Sequence, residues 1–221
     1  MRTFIKLLIG ACVVTGAGTV GPTAVHAFAA DAAGAMDSPA GASGVDPHAH
    51  DNHHKMSGTM RSTVDYTLPP VSLIRDDGKT VSLISELNDG RPVILTFIYT
   101  TCRGICPMVS QTFEQFQGLL GGDREKVHLV SISIDPEEDT PARLRAYATR
   151  FSAGPEWQYY TGTVATSIAT QKAFNVYRGD KMNHTPVAFV RAAPGKPWLR
   201  IDGFATPDEL LSAYHELVAS N

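Results

Sequence analysis

The sequence predicts an α/β sandwich, and three patterns in it carry that expectation. Val93–Tyr99 is a nearly continuous apolar run of β-forming residues, the pattern of a strand covered on both faces. Val127–Ile134 is a second such run. Between them, in Met108–Leu120, the apolar residues Val109, Phe113, Phe116 and Leu120 fall at helical spacing. Strand and helix patterns then alternate to the C-terminus, which calls for a sheet with helices packed against it.

The elements follow in order from about Asp65. Val71–Ile74 and Lys79–Ser82 flank Asp76-Asp77-Gly78, a turn sequence that predicts a hairpin. The strand Val93–Tyr99, the helix Met108–Leu120 and the strand Val127–Ile134 come next, the last closed by Asp135-Pro136. Thr140-Pro141 supplies an N-cap and a first-turn proline for a helix reaching about Phe151. Gln158–Thr161 reads as a short strand, and Thr163 caps a helix to Phe174. Val187–Arg191 and Leu199–Asp202 are strands joined through Pro194-Gly195. Thr206-Pro207-Asp208-Glu209 opens a terminal helix whose first-turn acids suit the helix dipole. This order describes a thioredoxin-like three-layer sandwich with an N-terminal hairpin extension, spanning residues 65–221.

Two segments precede that domain. Residues 1–29 combine a basic start (Arg2, Lys6), a short apolar run from Leu7 to Gly21 and small residues at Val25–Ala29, the organisation of a signal peptide. Export to the bacterial periplasm or the outer face of the inner membrane follows, and an uncleaved N-terminus would hold the protein at the membrane. Residues 30–64 are rich in Ala, Gly, Ser, Asp and His without apolar periodicity, which predicts a disordered linker. Within it, His48–Met60 gathers four of the eight histidines and two of the six methionines, ligands that suit loosely held copper. Cleavage would remove Arg2 and Lys6 but no acid, taking the formal charge from −3 to −5. A mildly acidic chain without a basic stripe is a poor nucleic-acid binder.

Chemistry concentrates at Cys102-Arg103-Gly104-Ile105-Cys106, since Cys12, the remaining cysteine, lies in the leader. The pair follows a buried strand and enters a helix start. Partial positive charge there favours thiolates, which attack disulfides or bind a soft metal. A bridge across five residues closes too small a loop to stabilise a fold much, so a structural staple explains the pair badly. If both cysteines stood on a helix, their Cα atoms would be about 6 Å apart. That separation suits a shared metal and a disulfide equally.

From Asp65 onward the chain resembles the SCO/SenC family, thioredoxin-like copper proteins of cytochrome c oxidase assembly. Phe97-Ile-Tyr-Thr-Thr-Cys-Arg-Gly-Ile-Cys-Pro-Met108 matches its strand and Cys-x-x-x-Cys-Pro turn, and Val130-Ser-Ile-Ser-Ile-Asp-Pro-Glu-Glu-Asp-Thr-Pro141 its second motif. The resemblance implies that Cys102, Cys106 and His184 bind copper, as Cu(I) or Cu(II). It also implies a role as metallochaperone to a copper-bearing subunit of cytochrome c oxidase or to another copper protein. One departure points elsewhere. Pro186 stands where the family usually carries an apolar residue, and Thr-Pro before a strand is what thioredoxin-like oxidoreductases use for their cis-proline. A cis bond aiming His184 across the cysteine turn is therefore expected, and Cys102 and Cys106 would be the redox pair of an exported thiol–disulfide oxidoreductase. Among the neighbours, Asp135 and Asp139 read as turn and helix-capping residues. Met182 reads as a packing residue with a thioether able to serve as a weak extra ligand, and Arg103 as solvated. His128 and His215 have no assigned role.

Overall fold

A computed structural model describes residues 58–220. Eight strands form one sheet in the order β1-β8-β7-β4-β5-β6-β2-β3. They are β1 (Met60–Val64), β2 (Ser72–Arg75), β3 (Thr80–Ser82), β4 (Val93–Ile98), β5 (His128–Ser133), β6 (Trp157–Thr161), β7 (Val187–Arg191) and β8 (Trp198–Asp202). The helices are α1 (Leu83–Leu87), α2 (Ile105–Leu119), α3 (Pro141–Arg150), α4 (Val164–Ala173) and α5 (Pro207–Ala219). The fold is thioredoxin-like, as the element order predicts. The β2–β3 hairpin turns through Gly78 at φ +89° and adds to β6 at one edge.

Every residue of β4 is buried, and its side chains alternate between two cores. Ile94 and Ile98 join Phe113 and Phe116 of α2, Leu144 and Tyr147 of α3, and Leu210 of α5. Val93, Leu95 and Phe97 face Leu83 and Leu87 of α1, with Phe174 and Val176 at the end of α4. Two covered faces are why β4 reads as an unbroken apolar run rather than an alternating one.

The topology brings three loops to one end of the sheet. β4 pairs parallel to β5, with Ile98 opposite Ser133, and antiparallel to β7, with Thr96 opposite Ala188. The carboxyl ends of β4 and β5 therefore lie beside the start of β7. A crevice at strand C-termini, where strand direction changes, is the usual ligand position of such sheets.

Beyond shifts of a residue at element ends, three elements differ from the sequence reading. The sheet already includes Met60–Val64, ahead of Asp65, because β1 forms an antiparallel ladder with β8 from Met60–Asp202 to Val64–Trp198. Four of its five residues are exposed, so backbone pairing rather than an apolar face holds it, and no periodicity announces it. The short helix α1, capped by Ser82, has no counterpart in the sequence reading. α2 begins at Ile105, ahead of Met108, and includes Pro107. A proline fits there because first-turn N–H groups have no partner inside the helix. The signal-peptide expectation lies outside the described residues, as does most of the linker. Among the described residues no helix is long and apolar enough to cross a membrane.

Candidate metal and thiol site

The loop leaving β4 folds back so that the Cys102 N–H donates to the Tyr99 carbonyl (3.2 Å), and α2 starts at Ile105. Cys102 thus stands on the loop and Cys106 in the first helical turn, a turn geometry rather than the helical i, i+4 pair. The N-cap of α2 is Gly104, which offers no side chain. The Cys102 sulfur takes that place by accepting the N–H of Cys106 at 3.3 Å.

This arrangement drives the two thiols apart. Burial acts to raise the Cys102 pKa, but the Cys106 and Gly104 N–H groups, the Cys106 thiol and the Tyr99 hydroxyl outweigh it, and the net shift is downward. Cys106 is buried in the α2 side of the core and strongly raised, by burial first and then by Cys102 and Asp139. Tyr99 is pushed up to about 12 by burial and by its hydrogen bond to Cys102. Both cysteines are free thiols.

His184 ends a 3-10 turn, Lys181–Asn183, just before β7. Its ring is buried, and Nε2–H donates to the Phe97 carbonyl at 3.0 Å. That bond fixes the tautomer and leaves the lone pair on Nδ1 for a metal. Burial lowers the His184 pKa, opposed by the Phe97 carbonyl, so the imidazole stays neutral. The turn is anchored by Lys181, which donates to Asp135 Oδ2 (2.5 Å) and lies 5.7 Å from the Tyr99 ring centre.

Cys102 and His184 line one cleft of ≈ 260 Å³ with Tyr99, Arg103, Gly104, Ile105 and Met182. Cys106 is buried in the α2-side core and does not line it. Among the described residues no three Cys, His, Asp or Glu side chains are gathered tightly enough to enclose a metal. The Thr185–Pro186 bond is trans, like every described peptide bond, which corrects the cis expectation. The ring of His184 is set by the Phe97 carbonyl instead. Asp139 is no helix cap: Thr140 caps α3, while the buried Asp139 carboxylate accepts from Thr100 and from Ser133 Oγ (2.6 Å). It ties the cysteine loop to the end of β5. Met182 is 71% exposed and so does not pack.

Sequence reasoning missed Tyr99 and Lys181. Tyr99 had a usable signal, a hydroxyl at the strand end three residues before the first thiol. Lys181 had none, because its partner Asp135 is 46 positions away.

Comparison with known proteins agrees with this architecture. A SCO1 protein homolog of Bacillus subtilis (strain 168) is 31% identical over 110 residues, 49% of this chain and 56% of that protein. Mitochondrial SCO1 homolog 1 of Arabidopsis thaliana is 33% identical over 112 residues, 49% of this chain and 31% of that protein. The chain therefore matches between 31% and 56% of the length of these relatives. The copper-bound structure of Bradyrhizobium japonicum ScoI superposes with a TM-score of 0.58 at 26% identity, covering 68% of this chain and 99% of that one. The SCO1/SenC family pattern matches residues 60–219, from β1 to the end of α5, and the chain belongs to that family.

Proposed function

We propose that this protein is an exported copper metallochaperone that holds one copper ion through Cys102, Cys106 and His184 and passes it to the copper-bearing subunit of cytochrome c oxidase. The observation that carries the reading is the shared cleft. A thiol shifted toward thiolate and a neutral imidazole with its Nδ1 lone pair uncommitted line the same small space, and the N–H of the second cysteine donates to the first sulfur. Two sulfurs suit Cu(I), and the imidazole accommodates Cu(II). Cys106 must give up its proton to join, which makes loading depend on the metal to lower that thiol. The copper-bound ScoI relative supports the choice of metal. The leader, the linker and release into the periplasm complete the proposal.

Anaerobic Cu(I) titration against a chromophoric chelator tests it. One tight equivalent per chain is expected. Cys102→Ser and Cys106→Ser should each abolish tight binding, and His184→Ala should weaken it or destabilise the Cu(II) form. Unchanged affinity for both copper states in His184→Ala would remove the histidine and leave a dithiol.

The opposed thiol shifts favour a second reading, a thiol–disulfide reductase. The Cys102 thiolate attacks a partner disulfide, forming a mixed disulfide and releasing one partner thiolate. Deprotonated Cys106 then attacks the Cys102 sulfur and releases the second. Two electrons pass to the partner, and a Cys102–Cys106 disulfide remains. Reduction of a model disulfide by the metal-free dithiol, unaffected by His184→Ala, would select this reading over the first.

A further inference from the structure

Among the long apolar side chains of the described residues, Met182 is unusually exposed, at 71%. It is nevertheless held in place. Its N–H is taken by Asp180 Oδ1 at 2.9 Å, and the preceding Lys181 is pinned to Asp135. The Tyr99 hydroxyl lies 3.7 Å from its sulfur. Tyr99 lines the cleft together with Cys102 and Met182, so the contact holds the thioether on the wall that carries the first thiol. Met182 lines the cleft with Cys102 and His184, whereas Cys106, 1% exposed, does not.

We infer that Cys102, Met182 and His184 form an outer Cu(I) site, which takes up the ion before Cys106 engages and holds it again during release. This rests on the copper-binding reading above. A thioether is a soft, neutral donor that prefers Cu(I), loses no proton on binding and exchanges quickly. Loading the outer site releases one proton, from Cys102. Met182 and the His184 imidazole give lone pairs only, and no electron moves. Replacement of the Met182 sulfur by Cys106 releases the second thiol proton and draws the ion inward.

The probe is Cu(I) delivered as its complex with a chromophoric chelator, under anaerobic conditions. In Met182→Leu, which keeps the size and apolar character of an exposed residue, the loading rate should fall roughly tenfold, equivalent to about 1.4 kcal/mol in the barrier. Equilibrium affinity should stay within roughly threefold, which is under 1 kcal/mol. Met108→Leu, at an exposed methionine outside this cleft, should load at the wild-type rate. X-ray absorption on Cu(I)-loaded Cys106→Ser should give two sulfur neighbours, and the Cys106→Ser/Met182→Leu double variant one. Wild-type loading kinetics in Met182→Leu, with tight binding intact, would overturn the outer site and leave the chaperone reading standing. Absence of tight Cu(I) binding by the wild type would overturn both.

Discussion

Cys102 accepts the N–H that opens α2, so the helix start stabilises its thiolate directly, while Cys106, four residues on, is enclosed by apolar side chains. The nucleophile and metal ligand is the thiolate, so reactivity should divide along the same line. Cys102 should alkylate with iodoacetamide at a pH below the ordinary cysteine range, and Cys106 should stay unmodified until the protein unfolds. Peptide mapping across a pH series checks this, and faster labelling of Cys106 would reverse the assignment. Asp139 belongs to the same scale. It is fully buried and accepts from Thr100 and Ser133, so it ties the cysteine loop to the end of β5.

At the scale of elements, β4 sets the cysteine loop and β7 sets His184, and their antiparallel pairing brings the two to one end of the sheet. The edge strand β1 reinforces the far side of β7 through β8. Beyond the ladder, Thr59 bonds to Glu209 and Arg61 Nη2 to Glu216 Oε2 (2.8 Å), both on α5. The exposed Arg61 pair contributes little by itself, so the ladder carries most of the effect. A chain started at Asp65 should have a lower urea midpoint than one started at Gly58, with copper stoichiometry retained. Equal midpoints would make β1 dispensable. Its invisibility in the sequence has a plain cause: a strand held by main-chain bonds with four exposed side chains needs no apolar alternation. β4, buried on both faces, could be read directly.

Across the whole molecule, the end of the sheet opposite the cysteine cleft carries a separate sensitivity. His128 opens β5 fully buried, with Nε2 3.1 Å from both Gln158 Oε1 and Tyr160 Oη, and Nδ1 3.2 Å from Asp89 Oδ2. Burial first, and then Arg91, lowers its pKa from the ordinary 6.5, outweighing Asp89 and Glu86. The folded state keeps the ring neutral while the unfolded chain binds a proton below that value. Its contribution is therefore complete above about pH 6.5 and is lost as the pH falls. The urea midpoint should drop between about pH 7.5 and about pH 5.5, and His128→Gln should reduce that drop. An identical drop in the variant would acquit His128. The His/Met segment belongs to this scale too. Met60 is already part of β1, so the clean test deletes residues 46–57. We expect the tight site to survive and total copper bound at excess metal to fall, by titration calorimetry. Unchanged stoichiometry would make the segment a plain linker.

The sequence by itself determined the sheet core, the capped helices α3, α4 and α5, and the cysteine turn, because each rests on local chemistry: apolar runs, threonine caps and a strand-to-helix turn. His184 entered only through the resemblance to the SCO/SenC family, not through local chemistry. Only the tertiary structure decided how these donors meet. The Phe97 carbonyl orients His184 from 87 positions away, and Lys181 is pinned by Asp135. Cys106 sinks into the core while Met182 stands in the cleft. Those outcomes depend on the β4–β5–β7 register and on burial from opposite sides of the sheet, quantities that no local window of residues contains.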